Sequence, residues 1–320
     1  MNRAAVPAPV TQVLDVAGSW LPAAMGEVEA RLEAIAAGGG GPLSDDATAT
    51  LSAGGKRLRP LLVLVCAGPE SAGSATPAAA AVELVHMATL VHDDVLDDAP
   101  LRRGLPTVLA RSGPSRAIAA GDLLLSRAFA ELASRGDRDR VALLAAASVA
   151  LARGELAQRR DAFDLEIGAE RYLERCRLKT AALFECACAI GGTGIKLAGF
   201  GRRIGLAFQL LDDVLDVTGP PERTGKARGT DLRDGTVTLP LILARERDPV
   251  LARVELASLA PRPAEELCDR IVATGATDEV RRLARRYVAE AKEDLEQAAL
   301  GPERRRLLDL VADGIVERYA

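Results

Sequence analysis

Long segments rich in alanine and leucine fill most of this 320-residue chain, and short runs of glycine, proline and aspartate separate them. Signals for β-strands are scarce, because aromatic residues make up only 3% of the sequence and β-branched residues rarely alternate with polar ones. Hydrophobic residues make up 48% of the chain, which is ample for one large core. The sequence therefore predicts an all-α fold, a single large helical bundle.

Capping residues mark the ends of several predicted helices. Thr76 and Pro77 are typical of an N-cap followed by proline at the first helical position, and they predict the start of an apolar helix. Segments from about residue 170 to 190 and from 201 to 217 each end at glycine, as helices commonly do. Residues 1–20 show no clean period, so we expect an irregular arm there.

Charge and cysteine content narrow the class of protein. The formal net charge of -4 at pH 7 argues against general attraction to nucleic acid. The five cysteines lack the paired spacing of metal sites, and we expect them to be reduced core residues of an intracellular enzyme. The first residues lack the pattern of a signal peptide, and apolar stretches such as 141–152 are too short to span a bilayer. We therefore predict a cytoplasmic protein without a transmembrane segment.

Two Asp-Asp-x-x-Asp clusters occur far apart in the chain. The first consists of Asp93, Asp94 and Asp97, and the second of Asp212, Asp213 and Asp216. On a helix the outer aspartates of each cluster are four residues apart and share a face, where like charges repel. Carboxylate oxygens in this arrangement suit Mg²⁺ that is bound jointly with phosphate oxygens.

The alternative is that each cluster is merely a solvated helix end, and a single cluster would leave that alternative open. Two clusters are harder to attribute to chance. Both also follow apolar runs, residues 88–92 and 207–211, which places the carboxylates at the rim of an apolar interior. We therefore interpret the pair as a metal and diphosphate site.

Basic residues close to the clusters provide the charge complement of a diphosphate. They are Lys56, Arg57 and Arg59, then Arg102 and Arg103 directly after the first cluster, Lys179 followed by Thr180, and Lys226 after the second cluster. Any one of them alone could be an ordinary surface charge. His86 precedes Asp93 by two helical turns, so a buried core role and a phosphate contact both stay open.

With these motifs in place, the chain resembles the trans-isoprenyl diphosphate synthases, the polyprenyl synthetase family. The resemblance extends from about residue 54 to 240, and its motifs are specific in order and spacing. They are Gly-Gly-Lys-Arg-Leu-Arg-Pro at 54–60, the run from His86 to Pro106, Gly154-Glu155 with Gln158, Lys179-Thr180, Phe208 to Asp216, and Gly225 to Leu232.

The resemblance implies an isoprenoid synthase fold with helices around a central apolar cavity, usually assembled as a homodimer. It implies an arm and first helix at 1–42, a catalytic domain at 43–320, and more than one Mg²⁺ ion. The expected metal ligands are Asp93, Asp94, Asp97, Asp212, Asp213 and Asp216. The expected catalytic residues are Asp93, Asp94, Asp97, Arg102, Lys179, Asp212 and Lys226. Contacts to an allylic diphosphate are expected from Arg102, Lys179, Thr180, Gln209 and Lys226, and contacts to isopentenyl diphosphate from Lys56, Arg59, His86 and Arg103.

The implied reaction joins isopentenyl diphosphate to an allylic diphosphate such as the dimethylallyl, geranyl or farnesyl compound. Stabilisation of the departing diphosphate gives an allylic carbocation, which the isopentenyl double bond attacks. Loss of a proton then yields a longer allylic diphosphate, and water must be excluded throughout.

One position departs from the family pattern. The family commonly has lysine after Asp231-Leu232-Arg233-Asp234-Gly235, whereas this chain has Thr236. One cation of the expected set is therefore missing, and we expect Arg228 or Arg233 to replace it.

The residues just before the first cluster bear on product length. Ala88 and Thr89 are small, whereas short-chain members of the family often have an aromatic residue there. The resemblance therefore implies a product of geranylgeranyl length or longer.

Two alternatives remain. A class I terpene cyclase shares the first cluster and the helical fold, but its second metal motif normally contains Asn, Ser and Glu. A non-catalytic subunit of a heteromeric synthase tends to lose its acidic clusters, and this chain keeps both.

Overall fold

The computed structural model describes residues 8–192, 197–219, 228–257 and 259–317, and their regular structure is almost entirely helical. The helices of the first half are α1 Ala8–Val16, α2 Trp20–Ala37, α3 Pro42–Ser52, α4 Leu58–Ala67, α5 Ala72–Leu96, α6 Val108–Ser112, α7 Pro114–Ala133 and α8 Arg138–Arg160. Those of the second half are α9 Ala169–Cys176, α10 Ala182–Gly191, α11 Ala198–Thr218, α12 Thr230–Arg233, α13 Leu239–Arg245, α14 Pro261–Ala273, α15 Ala276–Gln297 and α16 Pro302–Glu317. A short antiparallel hairpin pairs β1, Leu101–Arg102, with β2, Leu105–Pro106. The predicted all-α bundle is confirmed.

Two long helices organise the bundle. Helix α5 packs against α2, α4, α7 and α10, and its alanine-rich surface is buried on nearly every side. Alanine suits this position because it favours helix and lets neighbouring helices approach closely. Helix α11 packs mainly against α10 and α15 and buries Phe200, Leu210 and Val214. One contiguous core therefore surrounds both helices.

Both acidic clusters lie in the last turns of these two helices. Helix α5 ends at Leu96 and α11 at Thr218, so Asp93, Asp212 and their neighbours sit near helix C-termini. Carboxylates are unfavourable there, because the C-terminal end of a helix carries a partial negative charge. Such a placement requires compensating positive charge or hydrogen-bond donors in the fold.

The start of α5 differs from the prediction. The helix begins at Ala72, and Pro77 lies inside it. The Thr76 hydroxyl donates to the backbone oxygen of Ala72 at 3.1 Å and so does not cap the helix. Pro77 removes only one intrahelical hydrogen bond close to the helix start, and burial of the surrounding alanines outweighs that loss.

The N-terminal prediction also fails in part. Residues 8–16 are helical, and α1 packs against the last helix, α16. The Trp20 indole donates to Glu303 at 3.4 Å across the same contact. The irregular arm predicted for residues 1–20 is wrong for this part, because packing against a distant helix stabilises a segment whose own pattern is weak.

Two stretches, Pro69–Leu96 and Arg138–Arg160, are long and apolar enough to cross a bilayer. The first is mostly buried inside the bundle, as the core helix of a globular protein would be, and the second is mostly not buried. All five cysteines are buried and free, as expected.

Candidate active site

Both acidic clusters line one cavity of about 340 Å³. Asp93 and Asp97 contribute from α5, and Asp212 and Asp213 contribute from α11. The two clusters therefore converge, as a shared diphosphate site requires. Polar and charged side chains form most of the wall, and Leu90, Ala162 and Phe208 supply apolar parts of it. The described cavity is thus mainly polar, at the place where the sequence predicted carboxylates on the rim of an apolar interior.

Ion pairs surround the first cluster. Arg102, on the hairpin, donates through Nε to Asp94 Oδ1 at 2.7 Å. Arg159, on α8, donates through Nη2 to Asp97 Oδ1 at 2.5 Å. Asp94 is buried by its contact and does not line the cavity, whereas Asp97 is exposed. Cations from two other elements therefore stabilise acids at the end of α5.

Asp93 lies between these pairs and faces the cavity. Burial raises the pKa of its carboxyl to about 6; Lys179 opposes that rise, while Glu155 and Asp97 add to it. Burial disfavours the charged carboxylate, and a bound cation would offset that cost by favouring the ionised form.

Glu155 connects the cations of this side. It forms an ion pair with Lys179 Nζ at 2.5 Å and accepts a hydrogen bond from Arg159 Nε at 3.0 Å. The motif Gly154-Glu155 belongs to the resemblance but predicted no role for either residue. Glu155 holds Lys179 at the cavity wall, which makes it a positioning residue in the described structure.

Gly154 explains how Lys179 reaches the wall. Residues Arg177–Ala181 form a single π-helical turn between α9 and α10, and this turn presents Lys179 and Thr180 to the cavity. A Cβ atom at Gly154 would lie only 2.4 Å from the backbone nitrogen of Lys179. Glycine is therefore required for α8 to pack against the turn, and π-turns are frequent at functional sites.

Neutral donors hold the second cluster. The Tyr172 hydroxyl donates to Asp213 Oδ2, and Gln209 Nε2 donates to Asp213 Oδ1 at 2.6 Å. The Thr180 hydroxyl donates to Gln209 Oε1 at 2.6 Å and fixes the amide. Burial raises the pKa of Asp213 to about 8, with Asp231 adding to the rise. The described hydrogen bonds to Asp213 on this side of the cavity therefore come from neutral side chains.

The segment after the second cluster closes the cavity. The backbone nitrogen of Asp231 donates to Asp216 Oδ2 at 3.2 Å, so Asp216 faces this segment and does not line the cavity. Asp231, Asp234 and Thr236 do line it. Gly235 has a φ of +72°, and its carbonyl accepts from the Phe163 nitrogen at 2.8 Å, which ties the segment to the end of α8.

Arg59 and His86 also line the cavity. The buried Arg59 Nε has no hydrogen-bond partner, and the guanidinium lies 4.6 Å from the centroid of the Phe184 ring. Burial lowers the pKa of Arg59 to about 10, which still leaves it charged at neutral pH. Burial, with Arg59 and Arg103 adding, lowers the pKa of His86 well below its usual value, so the imidazole is neutral. Neutral His86 can donate a hydrogen bond, and Arg59 supplies positive charge and an Nε–H without a partner. Together they suit the binding of an anion.

Arg57 has a different role from its neighbours. It is buried and pairs with Glu29 at 2.7 Å and with Glu83 at 2.9 Å. These bonds anchor the loop at 54–59 to α2 and α5 and thereby aim Arg59 at the cavity.

The predicted site residues fall into two groups. Lining the cavity are Asp93, Asp97, Asp212, Asp213, Arg59, His86, Thr89, Arg102, Lys179, Thr180 and Gln209. Not lining it are Asp94, Asp216, Lys56, Arg103 and Ala88. Lys56 and Arg103 are exposed, and an Arg103 guanidinium nitrogen donates to the Gly54 carbonyl on the loop below Arg59. Lys226 lies outside the described residues.

Neither expected replacement for the missing lysine reaches the cavity. Arg228 donates to the Val217 carbonyl at 2.9 Å and to Asp269 at 2.8 Å, and Arg233 is exposed. The prediction that one of them replaces the cation at Thr236 is therefore wrong. Sequence proximity misled it, because Arg228, which precedes α12, is turned toward Asp269, and Arg233 at the end of α12 is exposed.

Several lining residues had no predicted role. They are Gln158, Arg159, Tyr172, Arg175, Asp231 and Asp234. Glu155 and Arg159 have the spacing of an ion pair on one helix, which was a readable signal. The Tyr172 contact joins residues 41 positions apart, and nothing local in the sequence indicates it.

The donor set fits a divalent ion shared with a ligand. Hard carboxylate oxygens from two helices face one cavity. Within the described ranges, no three acidic, histidine or cysteine side chains are close enough to hold a metal ion by themselves. Such a donor set calls for further oxygen ligands, which phosphate groups provide.

Comparison with known proteins agrees with this geometry. Residues 42–271 match the polyprenyl synthetase family. The heptaprenyl diphosphate synthase component 2 of Geobacillus stearothermophilus is 37% identical over 306 residues, covering 91% of this chain and 95% of the relative.

Solved structures agree as well. Heptaprenyl diphosphate synthase from Staphylococcus aureus superposes with a TM-score of 0.87 at 30% identity, covering 94% of this chain and 99% of that one. A polyprenyl synthase from Caulobacter crescentus, complexed with calcium and isoprenyl diphosphate, superposes with a TM-score of 0.83 at 32% identity, covering 97% and 98%.

Proposed function

This chain belongs to the polyprenyl synthetase family and is a trans-prenyltransferase, and from that premise we propose its substrates, metal and site residues. It condenses isopentenyl diphosphate with an allylic diphosphate. The observation that carries the assignment of the site is that both aspartate clusters line one cavity with Lys179 and Arg59.

The proposed metal is Mg²⁺, bound as more than one ion. Asp93 and Asp97 on one side and Asp212 and Asp213 on the other would hold it together with diphosphate oxygens. Asp94 and Asp216 would join only if their present contacts with Arg102 and the Asp231 nitrogen open. When bound, Mg²⁺ supplies charge stabilisation to the departing diphosphate.

Side chains of the protein bind the allylic diphosphate. Lys179, with Arg102, Thr180, Gln209 and Lys226, binds the allylic diphosphate as its C–O bond breaks. Preorganised charges of this kind stabilise the developing negative charge without needing to rearrange.

The second substrate has its own set of binding residues. Arg59 and neutral His86, with Lys56 and Arg103 at the rim, bind the diphosphate of isopentenyl diphosphate and aim its double bond at the allylic carbon. A C–C bond forms as the carbocation is attacked, and the released diphosphate takes the proton lost from the adjacent carbon. No side-chain base is required for this balance.

The proposed product is of geranylgeranyl length or longer. Thr89 lines the cavity and is small, and the relatives compared above are named for heptaprenyl and polyprenyl products. The role of Ala88 would be indirect, because its side chain is buried beside the cavity.

Product mass spectrometry tests the function. The protein is incubated with Mg²⁺, isopentenyl diphosphate and dimethylallyl, geranyl or farnesyl diphosphate in turn. We expect a longer prenyl diphosphate that requires both substrates and disappears with chelator. A product from the allylic substrate alone would identify a cyclase, and an absence of product would support the role of a partner subunit.

The proposed assembly is a homodimer. Ile118 on α7 and Val149 and Leu156 on α8 are exposed apolar side chains, and an apolar helix face of this kind favours burial against another chain. Light scattering of the purified protein is expected to give twice the chain mass, and Val149→Asp to reduce it. One relative is named as component 2 of a synthase, so a monomer that is inactive alone would instead indicate a different partner chain.

The proposed location is the cytoplasm, supported by the five free, buried cysteines. Cell fractionation is the test, and recovery in the membrane pellet would contradict it.

A further inference from the structure

Positive charge is unevenly distributed around the cavity. The basic side chains of the described ranges that line it are Arg59, Arg102, Arg159, Arg175 and Lys179. Arg102, Arg159 and Lys179 already pair with Asp94, Asp97 and Glu155 on the side of the first cluster. One of the remaining two, Arg175, lies beside Tyr172, whose hydroxyl donates to Asp213 on the wall that carries the second cluster.

Arg175 lies on that wall. Its side chain is 4% exposed, and its Nη2 donates to the Val237 carbonyl at 2.5 Å. The guanidinium carbon lies 5.4 Å from the centroid of the Tyr172 ring, and the Tyr172 hydroxyl donates to Asp213. The guanidinium is thus positioned between the closing segment and the second cluster.

Part of the Arg175 guanidinium is unsatisfied. Nη1 is buried and has no hydrogen-bond partner, although it lies 3.5 Å from Asp161 Oδ2. The ion pair with Asp161 does not replace a hydrogen bond, and a buried donor without one costs about 1–3 kcal/mol, so such a group needs a reason. A ligand oxygen that enters the cavity would satisfy this donor.

The carboxylate next to Arg175 does not cancel its charge. Asp161 is fully buried, and Arg171 donates to its Oδ1 through Nε at 2.9 Å and also through Nη2. One carboxylate thus lies between two guanidiniums. Arg171 forms the hydrogen bonds, so Arg175 retains net positive charge toward the cavity.

The uncharged residue Thr236 marks the place where this positive charge would be needed. Thr236 lines the cavity without contributing charge, and Arg175 holds the carbonyl of the next residue, Val237. We propose that Arg175 is a further substrate-binding cation, which contacts the diphosphate from the side of the second aspartate cluster at the place that Thr236 leaves neutral. The proposal rests on the proposed diphosphate site.

Binding of inorganic pyrophosphate in the presence of Mg²⁺ tests the proposal by calorimetry. Arg175→Gln should raise the Kd by about tenfold to a hundredfold, the factor that corresponds to one charge-assisted hydrogen bond. Arg171→Gln is the matched control, because Arg171 contacts the same Asp161 but does not line the cavity. The control should change the Kd less than threefold, on the order of what a surface charge contributes.

A second-site rescue separates charge from scaffolding. Thr236→Lys, added to Arg175→Gln, should restore the Kd to within about threefold of the original protein, because it returns a cation to the same wall. If Arg175 only anchors the Val237 carbonyl, the added lysine cannot restore binding, and that result would overturn the proposal.

Further outcomes keep the test decisive. If Arg175→Gln does not fold, Arg175→Lys replaces it, and a loss of more than about tenfold in a variant that keeps the charge would contradict the proposal. Normal pyrophosphate binding by Arg175→Gln would contradict the role proposed for Arg175 but not the proposed diphosphate site. Failure of the unmodified protein to bind pyrophosphate with Mg²⁺ would instead refute the proposed site.

Discussion

The two aspartate clusters have the same spacing but are stabilised in different ways. Around the first, Arg102 and Arg159 form ion pairs with Asp94 and Asp97. Around the second, Tyr172 and Gln209 donate neutral hydrogen bonds to Asp213. The difference teaches that one motif can be accommodated by countercharge or by neutral donors. It also implies that a metal bound at the second cluster must displace the proton that buried Asp213 keeps near neutral pH.

The largest expected effect comes from the cavity-facing aspartate of the first cluster. Asp93→Asn should lower the rate of condensation by about a thousandfold, because loss of charge stabilisation at the departing diphosphate is worth several kcal/mol. Steady-state assay of diphosphate release measures it. Asp98→Asn is the matched control, since Asp98 is exposed and does not line the cavity, and a comparable loss in the control would remove the distinction.

The second cluster should make stability depend on pH. Burial raises the pKa of Asp213 to about 8, so the folded protein keeps a proton there that the unfolded chain releases near pH 4. Stability is therefore lost as pH rises through about 8. The melting temperature of the metal-free protein is expected to fall between about pH 6.5 and 9, a window above the pKa of about 6 for Asp93.

Asp213→Asn should flatten that fall, because it removes the titrating carboxyl. The exposed Asp212→Asn is the control and should keep the slope. An unchanged slope in Asp213→Asn would show that other groups, such as the neighbouring Asp231, set the pH dependence.

The contribution of the neutral donors to the free energy of unfolding can be measured. Tyr172→Phe removes the hydroxyl that donates to buried Asp213 and should lower the free energy of unfolding by about 1–3 kcal/mol. Urea denaturation measures the difference. Tyr287→Phe, at a half-buried tyrosine, is the comparison and should change less than half as much; equal losses would assign the effect to the ring environment in general.

The smallest effect is expected at the ion pairs of the first cluster. Arg159 and Asp97 are 39% and 42% exposed, and exposed pairs contribute about 0–1 kcal/mol. Arg159→Gln should therefore change the melting temperature little, and added salt should reduce even that change. A loss as large as that of Tyr172→Phe would overturn the ranking of the two clusters.

The sequence predicted the parts of this site that local patterns encode. Spacing alone placed Asp93 and Asp97 on one face, and both line the cavity; it also paired Asp212 with Asp216, but Asp216 faces the segment at Asp231 instead. The apolar runs before the clusters predicted that both helices are buried. His86 lies in the cavity, two turns from Asp93, as helical geometry requires. Such features depend on residues less than three turns apart.

Features that depend on distant contacts escaped prediction. The Tyr172 bond to Asp213 and the Arg175 bond to Val237 join residues that only the folded bundle brings together. The π-turn that presents Lys179 forms against Gly154, which comes from another helix. Arg228 was misassigned for the same reason, because its direction is set by Asp269.

Calorimetric titration of pyrophosphate with Mg²⁺ tests the central claim most directly. The claim is that both clusters bind the same diphosphate. The unmodified protein should therefore bind one pyrophosphate in the cavity of each chain. Either Asp93→Asn or Asp212→Asn alone should abolish most of that binding. The double variant should lose little more than either single one. Full affinity in either single variant, or strictly additive losses, would show that the clusters act at separate sites.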